Sequence, residues 1–143
     1  MTLHAFLFAF LAAVHPQAPS MHDAPVIVAA VETVVQEERE PVFGSRQADA
    51  TILVATAWFE SNMHLHAVGD HGLARGAYQL HMRDGNGDAL TQTRAALRLL
   101  RWNKSVCRDM PVAAYVSGRC TRGRRLARYR MHEIMKAIKR MGL

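Results

Sequence analysis

Residues 58–80 read WFESNMHLHAVGDHGLARGAYQL, and two signals in this stretch organise the rest of the chain. Glu60 closes the apolar run of residues 52–59, whose density is that of a buried core helix. With Ser45 as its N-cap, the helix is expected over 46–61, and Glu60 then falls in its last turn. Beyond it, residues 62–87 have no sustained period and carry several glycines, so a loop and a short β-hairpin are expected. A carboxylate among bulky apolar residues resists ionisation, because a low dielectric disfavours charge. That is the property a general acid needs if it is to hold a proton near neutral pH.

Outward from this centre the chain reads as helices. Asp23 is placed to cap a helix with Pro25 in its first turn, and Ile27, Ala30, Val31, Val34 and Val35 recur at helical spacing to about residue 39. The segment from Pro41 to Gly44 ends it. Asp88 caps a third helix, about 89–103, with Leu90, Ala96, Leu97, Leu99 and Leu100 towards the core. Pro111 opens a short helix through Tyr115. A last helix spans about 122–141, with Leu126, Tyr129, Ile134 and Ile138 expected inward. The fold class is mostly α with an α+β element: a helical bundle and a small β-hairpin beside a cleft.

Three segments occur in a telling order: Glu60-Ser61, then G-D-x-G-x-x-x-G-x-x-Q from Gly69 to Gln79, then Ala114-Tyr115-Val116-Ser117-Gly118. Together they resemble the lysozyme-like superfamily, and within it the soluble lytic transglycosylase domain and the goose-type lysozymes. The resemblance spans about residues 45–130. Two positions depart from it: Tyr78 stands where that family usually carries Met, and Val116 replaces the usual Asn.

The resemblance implies a lysozyme-like fold and cleavage of the β-1,4 bond between N-acetylmuramic acid and N-acetylglucosamine in peptidoglycan. Glu60 would be the single general acid and base. It protonates the glycosidic oxygen with help from the N-acetyl carbonyl, then takes a proton from the C6 hydroxyl to close a 1,6-anhydro ring. The alternative is a hydrolytic muramidase, in which Asp70 positions water. Ordinary glycosidases use two carboxylates, and Asp70 is the second candidate. Asp before glycine-rich sequence is equally a turn residue bonding its own backbone. A third reading is a wall-binding component without turnover.

The other candidate substrate-binding residues are Ser61, Gly76, Tyr78, Gln79 and Tyr115. Ser61 either orients Glu60 or caps the helix end. Gly72 and Gly76 permit positive φ or close approach of backbone to a sugar. The Gln79 amide can both donate to and accept from an N-acetyl group. Tyr115 corresponds to a tyrosine that bonds near the acid, or is a core aromatic.

Composition bounds these readings. The 143 residues fit one domain, half of them are apolar, and no stretch reaches the length of a bilayer span. The net charge of +6 implies an anionic partner. From Arg119 to Leu143 there are nine Lys or Arg against one acid, Glu133. That segment is a solvated helix face, an attraction for the wall polymer or, last in order, a nucleic-acid contact. No nucleic-acid-binding signature accompanies it. Charge alone does not choose among these; the resemblance implies peptidoglycan strands as the partner, met by a monomer.

Cys107 and Cys120 are either free thiols or a disulfide closing a loop of about 14 residues around Tyr115, worth about 3 kcal/mol. The segment from Asp84 to Asp88 offers oxygens like a calcium loop, but Ala89 and Ala95 stand where that loop needs Gly and Glu. His64, His66, His71 and His81 lack a completing ligand pattern, so they are expected as polar lining of a sugar cleft, and neither metal nor cofactor is expected. Residues 1–20 form an apolar segment, either the core of a secretion signal or a helix packed on the domain of residues 21–143. A periplasmic or extracellular location, bacterial or phage-delivered, follows from the wall-cleaving reading.

Overall fold

The structure, a computed structural model, describes residues 1–143 except 82, 109–111, 113, 114, 116 and 117. Among the described residues there are five α-helices: α1 (Leu3–Val14), α2 (Ala24–Glu37), α3 (Arg46–Ser61), α4 (Ala89–Val106) and α5 (Arg124–Arg140). One antiparallel hairpin joins β1 (Val68–Gly69) to β2 (Ala74–Arg75), with Val68 opposite Arg75 and Gly69 opposite Ala74. The molecule is mostly α with a small hairpin.

α3 runs through the middle of the bundle. Its start is fixed by the Ser45 hydroxyl, which accepts from Ala48 N–H at 3.0 Å. Leu53, Val54, Ala55 and Ala57 are fully enclosed. Each large apolar side chain buried in this way contributes about 1.5–3 kcal/mol. Asp49, one turn in, is buried too, and its carboxylate accepts from Val42 and Phe43 N–H at 2.7 Å each. That charge would be costly to bury unpaired; here it pins the α2–α3 connection to the helix. Asn62 ends α3 in the left-handed conformation.

α2 packs on α3 and α4, and α1 packs on α5 and α3. The apolar 3–14 segment is thus a helix of the core, with Leu7, Phe10 and Leu11 fully buried. Asp88 Oδ1 accepts from Thr91 N–H at 2.8 Å and caps α4, and the segment before it is a 3-10 turn, Arg83–Asn86. Asp84 pairs there with Arg98 at 3.1 Å.

Three expectations need correction or relocation. Asp23 precedes α2 but makes no side-chain cap; its carboxylate instead accepts from Leu65 N–H at 2.9 Å, tying the start of α2 to the loop after α3. In α5 the inward residues are Ala127, Ile134 and Ala137, while Leu126 and Tyr129 are 43% and 56% exposed. Alanines admit closer approach of the helix, so the buried face centres on them. Of the short helix expected from Pro111 to Tyr115, and of the segment Ala114 to Gly118, only Val112, Tyr115 and Gly118 lie within the described residues. Cys107 and Cys120 are joined in a disulfide, Cα atoms 5.3 Å apart, which links the end of α4 to the approach to α5.

Candidate active site

Glu60 sits in the last turn of α3, half-buried, and its carboxylate meets a partner from the far end of the chain. Arg130 Nη1 on α5 donates to Glu60 Oε1 at 2.5 Å, with side-chain exposures of only 12% for Arg130 and 17% for Glu60. The Arg130 guanidinium also lies 5.4 Å over the Phe59 ring. A carboxylate, a guanidinium and an aromatic face therefore form one compact group at the α3–α5 junction.

Tyr115 is within electrostatic reach of the same group. Its hydroxyl donates to the Tyr78 carbonyl at 2.7 Å. Burial holds the phenol well above its ordinary pKa, the Glu60 carboxylate and then Tyr78 push it further up, and Arg130 opposes them. Tyr115 is thus a neutral donor throughout the physiological range. Its position is constrained by the Cys107–Cys120 bridge that closes its loop.

Tyr78 takes a different place from the one expected. Its side chain is fully buried, and its hydroxyl shares a 2.9 Å hydrogen bond with Thr93. Burial raises its pKa, with the Thr93 bond opposing. A side chain so enclosed does not meet a polymer outside; what Tyr78 offers is its carbonyl, which anchors Tyr115.

The hairpin residues behave similarly. Gly76 is buried with φ of 82°, and a Cβ there would lie 2.7 Å from the Gly85 carbonyl and against the Gln92 amide. Its glycine is demanded by protein packing. The Gln79 amide donates to the carbonyls of Gly76 at 2.9 Å and Ala67 at 3.3 Å, bracing the hairpin from inside. Ser61 caps the end of α3: its hydroxyl donates to Ala57 O at 3.0 Å and accepts from His64 N–H at 2.9 Å.

Asp70 lies on the hairpin turn, exposed, and shares a 2.6 Å hydrogen bond with His81. It and His71 both adopt positive φ, 46° and 56°, which is uncommon for residues other than glycine and marks a constrained turn.

Two contributors, Arg130 and Gln92, lie outside the motifs singled out in the sequence. Arg130 was hidden in a basic helix, although it stands in register with Ala127, Ile134 and Ala137 at intervals of three or four residues, the periodicity of the inward face. Gln92, fully buried, accepts from Ala77 N–H at 2.8 Å and donates to the Leu65 and Gly87 carbonyls. It holds the hairpin on α4. His81 supplies the partner of Asp70.

Among the described residues no group of three or more His, Cys, Asp or Glu is arranged to hold a metal ion, and no helix is long and apolar enough to cross a membrane. No family model matches the chain, and comparisons with curated proteins and with solved structures give no match.

Proposed function

We propose that this chain cleaves peptidoglycan as a lytic transglycosylase, with Glu60 as its single general acid and base. The observation that carries the reading is the placement of Glu60: a half-buried carboxylate at the end of a core helix, fixed by Arg130, with the neutral phenol of Tyr115 within electrostatic reach. Acid–base work on a glycosidic oxygen needs a carboxylate of restricted geometry and restricted solvent. In the proposed cycle the Glu60 proton goes to the oxygen that leaves as the scissile bond breaks. The carboxylate so formed then takes the proton of the sugar's own C6 hydroxyl as that oxygen bonds to C1, which restores the acid. No second carboxylate is required.

A hydrolytic outcome is the second reading, and the Asp70–His81 pair favours it. An imidazole bonded to Asp70 fixes one carboxylate oxygen and leaves the other to orient a water. In either case the partner is the glycan strand, met by a monomer. The Cys107–Cys120 disulfide supports a periplasmic or extracellular setting, bacterial or phage-delivered.

Mass spectrometry of purified peptidoglycan digested by the protein, with Glu60→Gln in parallel, tests the reading. Muropeptides lighter than the hydrolytic products by one water, absent with the variant, are the expected result. Products with a free reducing end would assign Asp70 the water-positioning role. No products from either protein, with retained binding to the wall, would make the chain a non-catalytic wall component.

A further inference from the structure

We propose that Arg130 is the positioning residue for Glu60, a contact that fixes the carboxylate's orientation and receives the charge left when its proton departs. The inference rests on the catalytic reading of Glu60 and deepens it by assigning Arg130 a role in the rate as well as in the fold. Three observations carry it. The Arg130–Glu60 hydrogen bond is 2.5 Å between two groups that are each largely withdrawn from water, so it is neither screened nor freely exchanged for solvent. The guanidinium also lies over the Phe59 ring at 5.4 Å, a second contact that limits its freedom. Finally, Arg130 belongs to α5, which is itself anchored: α5 packs on α1 and α3, and Arg140 Nη1 donates to Ala13 O at 2.9 Å. The far end of the chain thus sets the rotamer of a side chain on the central helix.

The chemical consequence is specific. When Glu60 gives its proton to the glycosidic oxygen, a carboxylate appears in a site with little water. Arg130 is the cation already aimed at Glu60 Oε1, so it stabilises the carboxylate form, the one that acts as base towards the C6 hydroxyl. The bond leaves the second oxygen, Oε2, as the one to exchange protons with the sugar. A purely structural ion pair would hold the two helices together and do nothing for the rate once the protein is folded.

The test compares wild type, Arg130→Met and Arg130→Lys on soluble peptidoglycan fragments, with kcat and KM resolved and thermal midpoints recorded. Positioning predicts that folded Arg130→Met loses about 100-fold in kcat with KM nearly unchanged, the effect of a misplaced catalytic group. Arg130→Lys should recover about tenfold of that loss, since it keeps the charge but not the planar fork or the ring stacking. Unaltered kcat in Arg130→Met overturns the proposal, as does Arg130→Lys no better than Arg130→Met at equal folded fraction. Should Arg130→Met fail to fold, Arg130→Lys decides alone: a fall in kcat at constant KM supports positioning, and wild-type kcat refutes it. A wild-type protein that cleaves nothing overturns the reading of Glu60 and this role with it. That result is distinct from an active enzyme indifferent to Arg130.

Discussion

At the scale of the residue, the hairpin is held by positions buried against α4 and the turn before it. Gly76 is the sharpest case, because its backbone lies at φ of 82° and any Cβ would be driven onto the Gly85 carbonyl and the buried Gln92 amide. Gly76→Ala therefore combines left-handed strain with a clash that backbone cannot relieve, and a cost of about 1–3 kcal/mol is expected. A fall in the urea midpoint without a change in slope checks it, and wild-type stability would contradict the tight packing described. Gly72, with φ of 92° and only the Arg75 guanidinium near its hypothetical Cβ, at an ordinary contact of 3.7 Å, should bear Ala with strain alone and make the milder control. Three positions of the Gly69–Gln79 segment are thus explained through packing: Gly76 by contact, Tyr78 by burial against Thr93, Gln79 by its bonds to Gly76 and Ala67. Such a pattern carries the shape of the site more than its contacts with a ligand.

At the scale of the element, the parts that could be read from sequence are those decided locally. Ser45, the apolar 52–59 run and Asn62 act within a turn or two of one another, and they delimit α3 as expected, Arg46–Ser61. Asp88 likewise caps α4 through Thr91. That cap makes a pH prediction. Hydrogen bonding by the Thr91 backbone N–H, then by its side chain, lowers the Asp88 pKa below its ordinary value. A carboxyl whose pKa is lowered on folding adds stability that is fully present above its unfolded value and is lost as pH falls through the folded one. The loss should therefore fall below about pH 4. Asp88→Asn keeps an accepting oxygen but no longer titrates, so its thermal midpoint near pH 7 should stay close to wild type while its decline between about pH 4 and pH 2 is shallower. Glu37, lowered chiefly by its hydrogen bond to Arg94, titrates in the same direction, so the slope should shrink without vanishing. Equal slopes in the two proteins would remove Asp88 from the account. Asp23 shows the limit of local reading: it occupies a cap position, yet its carboxylate bonds Leu65 N–H across 42 residues. Nothing in the neighbourhood of Asp23 in the sequence announces that partner.

At the scale of the whole molecule, the same limit separates the fold from the site. The helices and hairpin follow from periodicity and caps, but Glu60 meets Arg130 across 70 residues, and only three-dimensional packing selects that arginine from the basic segment around it. The face of α5 was misjudged for a related reason: Leu126 and Tyr129 outrank Ala127 and Ala137 in hydrophobicity, yet the smaller residues are the ones the bundle admits. Turning the helix this way leaves Arg125, Arg128, Lys136 and Lys139 exposed and withdraws Arg130. The basic segment therefore has two uses, one inward and one outward. Its outward charges supply a field that any anionic polymer would feel, including the carboxylates of peptide-bearing glycan strands. Because these groups are exposed, their attraction should be screened as the Debye length shrinks from about 10 Å at 0.1 M salt to about 3 Å at 1 M. Binding of Glu60→Gln to insoluble peptidoglycan, measured by sedimentation, should weaken steeply over that range. Replacing Arg125, Lys136 and Lys139 together by Glu should weaken it at low salt and flatten the salt dependence. Since none of the three touches Glu60 or Arg130, that variant built on the wild-type background should keep its kcat while its KM rises. A salt response unchanged by charge reversal would move wall recognition off α5 and onto the hairpin side of the molecule.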